Sequence, residues 1–231
     1  MMLLKELDWY GQSLAKLDYA QKNIEVLKTV TNYTIGHQIF INLMLNLMKS
    51  PMEYATQAVQ KSNGLKGRNV NGYIPHKYPN QNYKKYKNVI KEKLGSDDEG
   101  LVKIYYNLQT KNNIYYEFNT MQNDEKHASI NAHTKITSHN ISNKVGNIIF
   151  EDCTIITEDN NTASGISLDG RELDVSELGI TSSNEELYFD YNNKPVILFL
   201  EEIFEMVNLF VIEIREYIEQ KESPSSDIQN D

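Results

Sequence analysis

The sequence predicts a mainly α protein, a helical bundle with a small antiparallel β insertion before the last long helix. Three observations carry this expectation. Apolar residues recur at three- and four-residue steps through most of residues 3–123, the period of amphipathic helices. β-branched residues then gather from Val145 to Thr157, and an Asp169-Gly170 pair of hairpin type follows. A long, nearly all-apolar helical pattern returns from Pro195 to Ile218. The implied organisation is a helical bundle over 1–144, a β-rich insertion over 145–194, a core helix over 195–218 that completes the bundle, and a disordered tail over 219–231. With 231 residues, 40% hydrophobic and 24% charged, the chain is globular in composition and long enough to bury a core without disulfides.

Each element has its own signal. Leu3, Leu7, Tyr10, Leu14, Leu17 and Ile24 form one stripe of a helix over 3–28, interrupted by Gln21 and Lys28. Ile35–Met48 is apolar over most of a helix surface, but Asn42 and Asn46 inside it argue against a membrane span. Ser50-Pro51 reads as an N-cap and first-turn proline of a separate helix ending at Asn63-Gly64. Gly, Pro and Asn exclude a regular element over 65–82. A helix over Tyr83–Leu94 is closed by Gly95, and Ser96 with Glu99 forms a capping box for the next. A further helix over 113–123 turns Ile114, Tyr115, Phe118 and Met121 to one side. Leu187–Tyr191 reads as a strand. Glu201, Glu202, Glu205 and Glu213 break any membrane span within 195–218, and the helix reads as a buried central element.

The net charge of −9 is unevenly spread. Residues 65–93 carry eight Lys or Arg and one Glu, net +7, whereas residues 145–231 carry four basic and twenty acidic residues, net −16. The acidic third repels nucleic acid over its own surface, while the basic stretch attracts a phosphate backbone or docks on acids of its own fold. Tyr73, Lys84, Lys85, Lys87 and Lys91 are the candidate nucleic-acid contacts, because aromatics among lysines stack bases and neutralise phosphates. With one cysteine, Cys153, no disulfide forms within the chain, and its place in a strand reads as a small buried hydrophobe. No signal peptide is read at Met1–Gly11, so a cytoplasmic location is expected.

Motif chemistry is sparse. No phosphate-binding loop, dinucleotide fingerprint, zinc-protease helix or nucleophile elbow is present, and no cofactor is expected. His127, His133 and His139 are six apart, a spacing that puts successive side chains on different helix faces, so no metal site is expected. The segment Met121–His127 collects an amide, an acid, a base and an imidazole at a helix end. His127 beside Lys126 suits phosphate contact or proton transfer near neutral pH.

This segment resembles the motif of the HEPN superfamily (higher eukaryotes and prokaryotes nucleotide-binding domains), an Arg followed at four to six residues by His, often with a polar residue after the Arg. Gln122 stands at the Arg position, Asn123 at the polar position and His127 at the His position. The resemblance implies a helical, dimeric protein of a bacterial defence or toxin–antitoxin system with a metal-independent ribonuclease site. Gln122 supplies neither the charge nor the bidentate fork of an Arg, so the likeness speaks for fold more than for activity. Lys126 is the candidate replacement charge. The other reading is a non-enzymatic interaction or immunity protein whose acidic C-terminal third binds a basic partner. RNA or a basic protein, besides a second copy, are the expected partners, and no membrane is.

Overall fold

The computed structural model describes residues 3–127, 130–145, 148–158, 167–168, 171–172 and 179–222; for 126–127, 143–145, 148–153, 158, 167–168 and 171–172 it describes the backbone alone. Among these residues the chain is mostly helical. Its helices are α1 (Trp9–Lys28), α2 (Ile35–Ser62), α3 (Tyr83–Leu94), α4 (Glu99–Thr110), α5 (Ile114–His127) and α6 (Val196–Glu222). The strands before α6 are β1 (His133–Val145), β2 (Ile148–Glu158), β3 (Ser167–Leu168), β4 (Arg171–Glu172), β5 (Ile180–Phe189) and β6 (Lys194–Pro195). The chain forms two compact units, one of Met1–Ile24, Leu43–Asn123 and Leu200–Asp231, the other of Glu25–Asn42 and Asp124–Phe199.

The first unit is helical. α1 begins behind Asp8, whose Oδ1 accepts the Gly11 N–H at 2.7 Å. Residues 3–8 are not part of the helix, apart from a short 3-10 turn at Leu4–Glu6. The buried positions along α1 are Ser13, Leu17, Ala20, Ile24 and Leu27. This stripe keeps the alternating four- and three-residue step but not the expected membership. Leu3 and Leu14 are exposed, and the small residues Ser13 and Ala20 are buried in their stead.

α2 is one helix, not two. Pro51 lies inside it, and the Ser50 hydroxyl donates back to the Asn46 carbonyl at 3.3 Å rather than capping a new helix. Proline lacks the N–H that would reach the Leu47 carbonyl, a cost that tertiary burial offsets: Met48, Met52, Ala55 and Val59 are all inaccessible. Tyr105 of α4 donates to Thr56 of α2 at 3.0 Å and meets Phe210 of α6 edge-on at 5.2 Å. Lys49, 7% exposed, donates to Asn119 at 2.6 Å with its ammonium over the Tyr115 ring.

α3 has its expected bounds, with Asn82 accepting from the Lys85 N–H and Gly95 in the left-handed conformation at φ 78. α4 starts later than the Ser96 capping box implies. Asp98 is the cap and accepts from Leu101, while the Ser96 hydroxyl accepts from the Asp98 N–H. Glu99 turns instead to Tyr83 and Lys87. α6 runs on past Ile218 to Glu222, so the described part of the segment expected to be a disordered tail is helix. Arg215 bonds Glu219 at 2.6 Å, and Lys221 reaches Ser62 and Asn63.

The second unit is built on a sheet of order β2-β1-β5-β6, antiparallel throughout. β1 is its central strand and begins at His133, well before Val145. The segment from His133 to Lys144 is too polar to stand out by hydrophobic alternation. Its strand state follows from having a partner on both edges, with His139 opposite both Ile155 and Ser183. Thr137, His139 and Ile141 are buried with Leu187 and Phe189 on the same face, as period-2 geometry requires. β5 extends the strand expected at Leu187–Tyr191 back to Ile180. β3 and β4 pair Leu168 with Arg171, the register of a two-residue hairpin loop, although Asp169 and Gly170 themselves lie outside the described residues. Pro195 pairs with Tyr188 as the last strand residue, immediately before α6 rather than in its first turn.

Candidate functional site

Three candidates can be built from these elements: the motif on α5, the basic segment 65–93, and the acidic face of α6.

Periodicity places Gln122 beside Met121 on the inner side of α5. Gln122 is 1% exposed and donates from Nε2 to Asn46 Oδ1 at 2.9 Å. Its amide is spent on an interhelical bond, with the side chain turned into the helical packing. Asn123 is exposed. The side chains of Lys126 and His127 lie outside the described residues, as does that of Cys153.

The other two spaced histidines belong to β1. His139 is 5% exposed and is bonded at both ring nitrogens, Nδ1 to Ser183 Oγ at 2.8 Å and Nε2 to Thr157 Oγ1 at 3.3 Å. It pins three strands together. His133 packs on Phe189 with ring centroids 4.9 Å apart, and neither ring nitrogen has a hydrogen-bond partner among the described residues. Burial therefore pushes its pKa from 6.5 down to about 4, against a weaker upward pull from Asp190. Among the described residues no three His, Cys, Asp or Glu side chains gather as metal ligands.

The basic segment divides into two parts. Toward the C-terminal end of α3 its charge is matched locally: Lys87 meets Glu99 at 2.8 Å, Lys91 meets Asp97 at 3.2 Å and Lys93 meets Glu92 at 2.8 Å. The Glu99 and Asp97 carboxyls are held below their ordinary pKa, chiefly by the lysine bonds, and the Lys87 ammonium is held above its own. Lys87 and Lys91 are thus poor choices for phosphate contact. At the other end Lys84 and Lys85 are exposed, with no ion pair among the described residues, and Tyr73 is 74% exposed.

The acidic face holds a site that sequence reading missed. A cleft of about 370 Å³ opens between the end of α4 and α6. Leu108, Met206 and Phe210 give it an apolar floor, and Glu202, Glu205 and Glu213 stand around it with Lys111. Glu213 is held above the ordinary carboxyl pKa, first by burial and then by the charge of Glu216, while Lys111 acts in the opposite sense. The signal was present in part, since Glu202, Glu205 and Glu213 share a helical stripe with Met206 and Leu209. What the stripe faces, the end of α4, is a matter of packing.

Compared with protein-family models, with curated proteins and with solved structures, the chain finds no match.

Proposed function

We propose that this is a non-enzymatic interaction protein that docks a basic partner on its acidic α6 face. The cleft carries the reading: an apolar floor bordered by three glutamates and a single lysine, Lys111, suits a segment with an apolar anchor and flanking Lys or Arg. α6 has seven glutamates against two basic residues: Arg215 pairs with Glu219 of the same helix and with Asp8, and Lys221 bonds Ser62 and Asn63. The field over this face is therefore negative, which steers a cationic partner.

The scaffold in this reading is a helical bundle. Contacts of α4 with α2 and α6, of α5 with α2, and of Arg215 on α6 with Asp8 and the Tyr10 ring beside it support it. The ribonuclease reading has less support, because Gln122 is committed to Asn46.

A synthetic amphipathic peptide of alternating Leu and Lys, titrated by calorimetry, tests the proposal. Binding that weakens with salt and is lost in a Glu205→Lys variant is expected. RNA incubated with the protein in EDTA, beside a His127→Ala variant, provides the opposing arm. Cleavage that depends on His127, with no peptide binding, would overturn the proposal in favour of HEPN-like chemistry.

A further inference from the structure

The segment 65–82 has almost no regular structure, yet it is firmly tied down. Gln60, 1% exposed, accepts the N–H groups of Asn71 and Gly72 on one oxygen, each at 3.1 Å. Gly72 has φ +73, and a Cβ there would lie 2.9 Å from the Glu53 carbonyl, so the chain passes too close to α2 for any side chain. Further on, the buried Tyr86 hydroxyl donates to the Pro75 carbonyl at 2.9 Å. Gln109 brackets the same stretch, donating to the Pro75 carbonyl at 3.3 Å and accepting the Lys77 N–H at 3.4 Å.

Two tyrosines project from this anchored strip, Tyr73 at 74% exposure and Tyr78 at 58%. His76 meets the Tyr78 ring edge-on at 4.7 Å and steadies it. Fixed, exposed aromatic rings on an irregular segment are unfavourable in water and useful for stacking. The strip runs directly into α3, whose first turn carries Lys84 and Lys85 and no acid. Lysines there oppose the helix dipole, so local stability does not explain them. Lys66 and Arg68, beside the strip's start, also have no ion pair among the described residues. The unmatched positive charge of 65–93 therefore lies on the same stretch of chain as the exposed rings, while the matched charge lies further along α3.

We infer that Tyr73 and Tyr78, with Lys84, Lys85 and Arg68, form a binding strip for single-stranded nucleic acid. Unpaired bases stack on the two rings and phosphates meet the cations. A duplex keeps its base faces buried in its own stack and offers the rings nothing. An acidic peptide uses the cations alone.

The test uses the full chain and a fluorescein-labelled oligouridylate of about 12 nucleotides, read by anisotropy from about 50 mM salt upward. Binding is expected to fall with salt. Lys84→Gln with Lys85→Gln should lower the log–log salt slope by about 1.4, at roughly 0.7 per phosphate contact. Tyr73→Ala and Tyr78→Ala should each weaken binding by about fivefold or more and leave that slope unchanged. All four residues are solvent-facing, so the variants should fold, which circular dichroism checks. Absence of binding at low salt would overturn the inference. So would competition by a duplex or a poly-glutamate peptide as strong as by the single strand, or indifference to both tyrosine substitutions. None of these outcomes bears on peptide docking at the α6 cleft, so the two proposals fail separately.

Discussion

Residues 65–93 and α6 carry opposite charge and dispose of it in opposite ways. In the basic segment the lysines toward the end of α3 are matched by acids that follow it within a few residues, Asp97 and Glu99. The charge with no ion pair among the described residues stands with exposed tyrosines on an anchored strip. In α6 seven glutamates stand against two cations, of which Arg215 is shared between Glu219 and Asp8 and Lys221 reaches the end of α2. Its glutamates rim an apolar floor. The contrast teaches that net charge over a segment is a poor guide to its field. The positions of the counter-charges decide what a partner meets, because a paired surface charge is largely spent.

Four perturbations break or sharpen this contrast. The largest effect is expected at Phe210, which is 2% exposed, packs against Tyr105 and floors the cleft. Phe210→Ala should cost about 3–5 kcal/mol in urea denaturation and abolish docking at the acidic face. A cost below about 1 kcal/mol would mean that the acidic face is not seated on a core. Next is Gln60→Ala, which strands the Asn71 and Gly72 N–H groups. A loss of about 1–3 kcal/mol is expected, with faster hydrogen exchange at those two amides. Unchanged exchange would show that the basic strip does not depend on this anchor.

A third perturbation lies in neither region and serves as a control. The neutral His133 ring is buried, so the unfolded chain takes up a proton that the native state refuses as pH falls from 6.5 toward about 4. Stability should decline through that window, and His133→Leu should flatten the decline without changing ligand binding at either charged face. The smallest effect is expected at Glu213. Its carboxyl is raised, so the native state holds the proton more tightly than the unfolded chain, and stability is lost as pH rises through the raised value. Glu213→Gln should remove this slope and raise the melting temperature slightly at neutral pH. A lower melting temperature would mean that Lys111 outweighs burial there.

Much of the fold was legible because it is local. The bounds of α3 follow from Asn82 and Gly95, and the apolar side of α5 follows from a three-residue step. The errors have a common origin in competition with packing. Pro51 and Ser50 read as a helix start, yet the helix runs through them because the residues around them are buried. β1 is polar and became a strand by having two neighbours. Asn42 and Asn46 were legible only as interruptions of an apolar run. In the structure Asn42 accepts from the Asn131 side chain at 2.8 Å, and Asn46 accepts from Gln122 at 2.9 Å. That second bond also removes Gln122 from the surface, which no motif can report.

By itself the sequence determined the mainly helical class, the strand-forming stretch before the last helix, and the segregation of charge along the chain. These rest on period, propensity and count, which are properties of neighbours in sequence. Only the tertiary structure decided which lysines keep an unmatched charge, which glutamates border a cleft, and which polar side chains are consumed as internal bonds. Each of these is an interaction between residues far apart in the chain. Its energy depends on distance and burial, and neither quantity exists until the chain has folded.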